Sequence, residues 1–318
     1  MAYEDGRNFL FRQFDANASL SPDFDGLGMQ PSDWERRARE FQRENLVVTQ
    51  RAEQFPLTQS KDYTVTIETE PEPFKETAET DPAHVQKYGS RQVTFEPTEF
   101  TEGFETSWTN IVRTFISEMD RFTQRLGYAS AVAKDREAVQ AIYDNADVET
   151  IYAGGKANRA DLVAGDILTV QLLREVKRKT LRNRYRQRDF IISPEAEEQL
   201  LGDTNVSFAD RYGGTESIRN GEIGQLAGFN IVVAHSVQLA DGGANEDEEG
   251  MVSKNIAMGE TGTGEAALGH GIIRQLMIET DYDPKYRMFG IYGHEEYDFK
   301  VLHSDAIFVV ETYNEYAA

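Results

Sequence analysis

Thr169-Val-Gln-Leu-Leu-Arg-Glu-Val-Lys-Arg-Lys-Thr-Leu-Arg182, then Asp189-Phe-Ile-Ile-Ser-Pro194, then Asn220-Gly-Glu-Ile-Gly-Gln-Leu-Ala-Gly-Phe-Asn-Ile-Val-Val-Ala234: these pieces, in this order, decide the fold. Leu172, Leu173, Val176 and Leu181 recur near helical spacing, which predicts a helix from Thr169 to about Tyr185. The short apolar run at 189–193 reads as a strand. Ser193 is placed to cap a second helix, with Pro194 at its first position and Glu195 in its first turn. That helix runs through Leu201 and is expected to stop at Gly202 in a left-handed cap. The glycine-punctuated run after Asn220 reads as a β-hairpin. The expected product is a compact α+β unit.

The same window holds the chain's one charge anomaly. Arg174, Lys177, Arg178, Lys179, Arg182, Arg184, Arg186 and Arg188 crowd together in a protein that is acidic elsewhere. Clustered cations can neutralise phosphate with no base-reading geometry. They can instead pair with acidic surfaces of adjacent copies, or form a solvated face whose local ion pairs contribute little. The sequence leaves the three open.

Upstream, Trp108, Ile111, Val112, Phe115, Ile116, Met119, Phe122 and Leu126 form a wide apolar stripe, predicting a core helix from Thr106 to Leu126 with Gly127 as its stop. A second helix is expected from Ala129 to Tyr143, and a junction in the glycine-containing 144–165. Further back, Tyr63-Thr-Val-Thr-Ile-Glu-Thr69 and Gln92-Val-Thr-Phe-Glu96 read as strands around an acidic, proline-rich loop at 70–82. Ser32 and Glu35 suggest a capping box for a short helix with Trp34, Ala38 and Phe41 on one face. Residues 1–30 show no period and read as an arm. Downstream, 239–271 reads as a glycine- and acid-rich insertion. Beyond it, 272–279 and 306–312 are expected as strands, and 286–292 and 297–302 as a hairpin around Gly293.

Composition bounds the rest. The 318 residues suit more than one core, and the net charge is −22 with a pI near 4.7. Lysine is scarce, 10 of the 33 cationic residues. An acidic, lysine-poor surface suits concentrated salt, which screens its self-repulsion. There is no cysteine, so disulfides and thiolate metal sites are excluded. No apolar run is long enough for a bilayer, and the N-terminus shows no secretory signal.

Chemistry is sought and not found. The five histidines, His84, His235, His270, His294 and His303, show no paired ligand spacing. His303-Ser304-Asp305 holds the residue types of a catalytic triad, but neighbours on a strand point to opposite faces. Gly259-Glu-Thr-Gly-Thr-Gly-Glu-Ala266 lacks the Lys-Ser/Thr that a phosphate loop needs. The acidic run at 241–250 lacks calcium-loop spacing. No catalytic, cofactor or metal residue is assigned.

Leu-Thr-Val-x-x-Leu-Arg at 168–174, Phe-Ile-Ile-Ser-Pro at 190–194 and Asn-Gly-Glu-Ile-Gly-x-Leu-Ala-Gly-Phe-x-Ile-Val-Val at 220–233 resemble the central domain of tailed-virus major capsid proteins of the Hong Kong 97-type fold. The resemblance covers roughly 165–238. It implies an N-terminal arm with a short helix at 1–58, a long E-loop hairpin at 59–103 and a peripheral domain with a spine helix at 104–150. An axial domain would follow at 151–280, with C-terminal strands returning to the sheets at 281–318. It further implies a non-enzymatic subunit that self-assembles as hexamers and pentamers into an icosahedral shell around double-stranded DNA. Such a virion protein is assembled in the host cytoplasm with scaffolding, portal and decoration proteins, and without a membrane. With the acidic composition, a haloarchaeal tailed virus is the expected source. Lys–Asn cross-linking, known in some relatives, is not carried over, since both partners cannot be matched. The competing readings are an encapsulin-like nanocompartment shell, an acidic cytoplasmic metal-dependent enzyme, and a nucleic-acid-binding module using 174–188.

Overall fold

The computed structural model of the chain describes residues 31–58, 63–68, 90–203, 224–240, 251–261 and 264–314. In chain order these form α1 (Pro31–Asn45), β1 (Glu53–Pro56), β2 (Tyr63–Glu68), β3 (Ser90–Phe95), β4 (Thr98–Ser107) and α2 (Trp108–Tyr143). Next come β5 (Glu149–Tyr152), α3 (Val170–Arg182), β6 (Arg186–Ile192), α4 (Pro194–Gly202), β7 (Gln225–Leu226) and β8 (Phe229–Val233). The chain continues with β9 (Leu239–Ala240), β10 (Val252–Glu260), β11 (Leu268–Asp283), β12 (Met288–Val301) and β13 (Ile307–Tyr313). The arm at 1–30, the proline-rich loop at 70–82 and the acidic run at 241–250 lie outside the described residues.

The chain packs as two compact units. The smaller takes residues up to Asn45, then Phe100–Ser130 and Arg274–Glu295. Its core joins Trp34 and Ala38 of α1 to Leu126 of α2, Leu276 and Ile278 of β11, and Phe289 and Ile291 of β12. Phe104 stacks on Phe122 with ring centroids 5.6 Å apart. Helix α1 thus buries the face that the sequence predicts for Trp34 and Ala38. It starts at Pro31, which puts Ser32 in the first turn and not at the cap. Of the predicted α2 stripe, Phe122 and Leu126 reach this core, while the side chains at 108–120 lie outside the described ones.

Gly127 does not end a helix. One helix of 36 residues runs from Trp108 to Tyr143 in place of the two expected. A Cβ on Gly127 would lie 2.5 Å from the Ala38 carbonyl oxygen, so the missing side chain serves close approach of α1 and α2. Gly293 is misread in the same way. The expected hairpin around it is one continuous strand, β12, and the turn lies earlier, at 284–287. A Cβ on Gly293 would meet Leu276 at 3.2 Å.

The larger unit holds a seven-stranded sheet of order β5-β13-β10-β6-β8-β7, with β9 paired to β10. β10 lies antiparallel to β13 on one side and to β6 on the other. β6 pairs in parallel with β8 and β13 with β5, so both directions occur. Leu172, Leu173 and Val176 of α3 and Ala196 and Leu200 of α4 pack with Phe190, Ile192, Ala257, Phe308 and Val310. Every residue of β13 is buried, as befits an interior strand covered on both faces.

The insertion expected at 239–271 is therefore corrected, because 252–260 of it is the interior strand β10. Its polar residues hide the strand from a reading by hydropathy. They are satisfied by specific bonds: Asn255 accepts from the Ser193 amide at 3.2 Å and donates to Thr312 Oγ1 at 3.1 Å. Ser253 Oγ accepts from Ser193 Oγ at 3.0 Å. At Gly259 a Cβ would sit 2.9 Å from the Arg186 carbonyl oxygen, so this strand position requires glycine.

A four-stranded sheet has the order β1-β11-β12-β4, in which β1 runs parallel to β11. β2 and β3 pair antiparallel from Tyr63↔Phe95 to Glu68↔Ser90, as their alternation predicts. Val65 and Ile67 pack beside a small core of Leu57, Val93, Phe95 and Leu302. Asp135, buried in α2, gathers the segment after α1. It accepts from the amides of Val47, Val48 and Thr49 at 2.7, 3.1 and 2.9 Å and from Thr49 Oγ1 at 2.8 Å.

Candidate contact surface

The basic window is built on α3 and its exit into β6. Thr169 caps the helix, its hydroxyl accepting from the Leu172 amide at 3.3 Å. Val170, Leu172, Leu173, Val176 and Thr180 face the core. Helical periodicity then turns Arg174, Arg178, Leu181 and Arg182 outward, and all four are exposed. Leu181 is 51% exposed, contrary to the core position its spacing suggests, because it falls at the edge of the apolar stripe.

The helix ends after Arg182, three residues earlier than expected. Tyr185 N–H donates to the Thr180 carbonyl and Arg184 N–H to the Leu181 carbonyl, both at 3.1 Å. This pair of bonds is a Schellman closure, and it requires a left-handed residue at 184. Arg184 takes that conformation, with φ 68°. Glycine adopts it without penalty, whereas an L side chain costs about 1–2 kcal/mol. The second helix, α4, has the opposite character. Ser193 caps it as predicted, accepting from the Ala196 amide at 3.2 Å, but Gly202 ends it with no positive φ and is not the left-handed cap expected.

The eight cations separate into two groups. Lys179 bonds Glu149 at 2.6 Å. Lys177 is half-buried, and a Cβ on Gly228 would lie 3.1 Å from its Nζ. Gly228 and Ala227, both at positive φ, make the tight turn of the predicted β7–β8 hairpin. Arg188 lies 3.2 Å from the buried Asp189, which Arg51 also approaches at 3.3 Å. Arg51 stands too far away in sequence to be read as part of this network.

Arg174, Arg178, Arg182, Arg184 and Arg186 form the outward group. Arg178 has only a 4.0 Å approach to Glu175. Arg186 is opposite Glu260 in register, yet it and Arg174, Arg182 and Arg184 have no ion pair within 4 Å among the described residues. The surface is therefore a line of guanidinium groups with an exposed leucine among them, flanked by Glu175, Glu149 and Glu260.

Elsewhere, polar side chains serve the fold. Arg159 binds Glu311 through two hydrogen bonds, at 2.7 and 2.5 Å, and those bonds raise its pKa further. Burial raises the Tyr143 phenol and lowers the Lys254 ammonium, whose Nζ sits 4.9 Å from the Tyr143 ring centroid. His270 stacks on Phe299 at 4.3 Å and meets Tyr297 edge-on, and neither ring nitrogen has a hydrogen-bond partner among the described residues. Burial, with Lys134 adding to it, pushes its pKa down to about 3. His294 and His303 lie 3.6 and 3.7 Å from Glu279 and Glu265. No group of three His, Asp or Glu able to hold a metal ion occurs among the described residues. No described helix is long and apolar enough to cross a membrane. What the arginine line can do is bind an acidic surface.

A family model described as phage capsid protein matches residues 91–310. No curated protein matches the chain. Among solved structures, the capsid of Ralstonia phage GP4 is similar with a TM-score of 0.64 at 11% identity, over 83% of this chain and 87% of that one. The capsid of the cyanophage P-SCSP1u gives 0.59 at 14% identity, again over 83% and 87%. A virus-like particle from Pyrococcus furiosus gives 0.53 at 11% identity, over 88% of this chain and 98% of that one. The likeness at these identities is one of fold, and it agrees with the α+β Hong Kong 97-type architecture expected from the central stretch.

Proposed function

The chain belongs to the phage capsid protein family, and from that premise we propose that it is the major capsid subunit of a tailed virus, self-assembling into an icosahedral shell around double-stranded DNA. The observation that carries this reading is the matched span, 91–310, which takes in α2, the arginine line and both large sheets apart from β1 and the last residues of β13. Assembly is the work of such a protein, since many modest contacts add through geometry. In this reading 1–58 is an arm, 59–103 an E-loop lying on a neighbour, 104–150 a peripheral domain and 151–280 an axial domain. The paired β2 and β3 support the second assignment, since they form a two-stranded sheet apart from both large sheets. Scaffolding, portal and decoration proteins would be its other partners.

The net charge of −22 and the scarcity of lysine support a haloarchaeal host. Purified protein examined by light scattering and electron microscopy is expected to form shells in concentrated potassium chloride and fewer in dilute buffer. A monomer or dimer in both overturns the shell reading; equal assembly in both removes the halophilic one. The likeness to the Pyrococcus furiosus particle favours a second reading, a cargo-enclosing compartment. Co-purifying DNA supports the virus, and a stoichiometric enzyme cargo supports the compartment.

A further inference from the structure

Building on the reading as a DNA-filled shell, we propose that the packaged duplex lies against the helical face of the smaller unit, on Arg121, Arg125 and Tyr128 of α2 with Arg36 and Arg43 of α1. A subunit of net charge −22 repels a polyanion, so enclosing one calls for a face where the sign is reversed. The smaller unit has such a face, and its opposite.

This unit is built in two layers. α1 and the first part of α2 cover one side of the sheet, with Trp34, Ala38 and Leu126 against Leu276, Ile278, Phe289 and Ile291. Because Phe122 and Leu126 turn to the sheet, the helical period turns Arg121, Arg125 and Tyr128 away from it. All three are exposed, Tyr128 by 57%. Neither Arg121 nor Arg125 has an ion pair within 4 Å among the described residues. On α1, Trp34 and Ala38 face the core, and Arg36, Glu40 and Arg43 form the opposite stripe. Glu40 is the one exposed carboxylate among the described side chains of these helices in the unit. Glu35 leans to the sheet instead, where it accepts from the Ile278 amide at 3.4 Å.

The other side of the sheet carries the reverse sign. Strand alternation puts Glu279 and Asp281 of β11 there, away from Leu276 and Ile278, and Tyr292 and His294 of β12, away from Phe289 and Ile291. Tyr292 donates to Glu105 of β4 at 2.7 Å, and His294 lies 3.6 Å from Glu279. The bond to Glu105 raises the Tyr292 pKa, and the nearby charge of Asp281 adds to it. Glu105, Glu279 and Asp281 are all exposed. The unit is thus basic on its helices and acidic on its sheet, the two-sidedness that a wall around a polyanion needs.

Phosphate can be held without base reading by guanidinium groups a helical turn apart and by a phenol that donates, which is what this face presents. Tyr128 is the one exposed large apolar side chain described on it, and that ring ends in a hydroxyl, so a protein partner finds no aliphatic anchor. The arginine line of α3 differs. Glu149, Glu175 and Glu260 flank it and would repel phosphate, while Leu181, 51% exposed, suits contact with another copy.

The chain has no cysteine, so single cysteines can be placed at will. Gln124 is exposed in the α2 row, and Met277, 38% exposed, lies on the acidic side of the sheet. Shells of Gln124→Cys carrying a tethered iron–EDTA group, assembled around plasmid DNA, are expected to cut the enclosed duplex at many positions without sequence preference. The same group at Met277→Cys should leave it intact. Cutting from 277 alone, from both alike or from neither overturns the proposal. Arg121→Gln with Arg125→Gln should melt and assemble as the parent does, yet retain about threefold or more less DNA per shell after a salt wash, since each lost phosphate contact weakens binding. Parent-level retention in that variant overturns the assignment, and a fall in assembly alongside it would place the face against another copy. A loss of DNA confined to Arg182→Gln with Arg184→Gln would move the duplex to the arginine line, and so overturns it too. All of these leave the shell reading intact. A parent chain that forms no shell, or only shells that take up no DNA, overturns that reading itself.

Discussion

Asp135 and His270 show how much single buried side chains decide. Asp135 serves three amides and a hydroxyl from the segment 47–49, so Asp135→Ala leaves those donors buried without an acceptor. Each orphaned donor costs about 1–3 kcal/mol, and partial rehydration should hold the total near ~3 kcal/mol. A lowered denaturation midpoint with an unchanged slope is the expected result. His270 works through protons. Its native pKa, about 3, lies below the ordinary imidazole value of 6.5, so the unfolded chain binds a proton there that the folded chain refuses. Its contribution is whole above pH 6.5 and declines as the pH falls toward 3, by at most about 1.4 kcal/mol per pH unit. His270→Phe keeps the stack on Phe299 and removes both unpartnered nitrogens. Melting temperatures followed across that window should fall less steeply in the variant than in the parent.

At the scale of elements, glycine decided where reading and structure parted. Alternation found β2 and β3, the Ser193–Pro194 signal found α4, and the apolar period found α3. Those signals are local, and for the two helices the capping bonds that realise them are local too. Gly127 and Gly293 look like stops because glycine most often punctuates, but here each admits a partner distant in sequence, Ala38 in one case and Leu276 in the other. β10 was hidden for a related reason: Ser253 and Asn255 are paid for by Ser193 and Thr312, which no local window contains. Gly127→Ala tests the point. Helix propensity alone would make it stabilising by about 1 kcal/mol. The added Cβ would instead stand 2.5 Å from the Ala38 carbonyl oxygen, so destabilisation by about 1–3 kcal/mol is expected. A variant more stable than the parent in thermal or chemical melts would contradict the close-packing explanation.

For the whole molecule, the family was legible from the central stretch, while the division of labour among its cations was not. The basic window, with its eight cations between Arg174 and Arg188, is plain in the sequence. That Lys177, Lys179 and Arg188 turn to the fold while five arginines face outward depends on helix phase and on Glu149 and Asp189, which only the folded chain brings near. The acidic balance makes assembly sensitive to ionic strength, and screening would act in opposite directions on the diffuse repulsion and on any contact that the arginine line is proposed to make. Shell yield against salt should therefore rise and then level or fall. Removing the arginine charges with Arg182→Gln and Arg184→Gln should abolish the falling limb; a curve identical to the parent's would show that those charges take no part.

The helix exit at Arg184 carries an evolutionary corollary. A pool of variants sorted only for a folded, soluble chain should drift there toward glycine or asparagine, which occupy left-handed backbone at little penalty. The same pool sorted for intact particles should hold on to arginine. Two sieves applied to one library would thus disagree at this codon, and the size of their disagreement would measure how much folding ease the particle gives up for its seams.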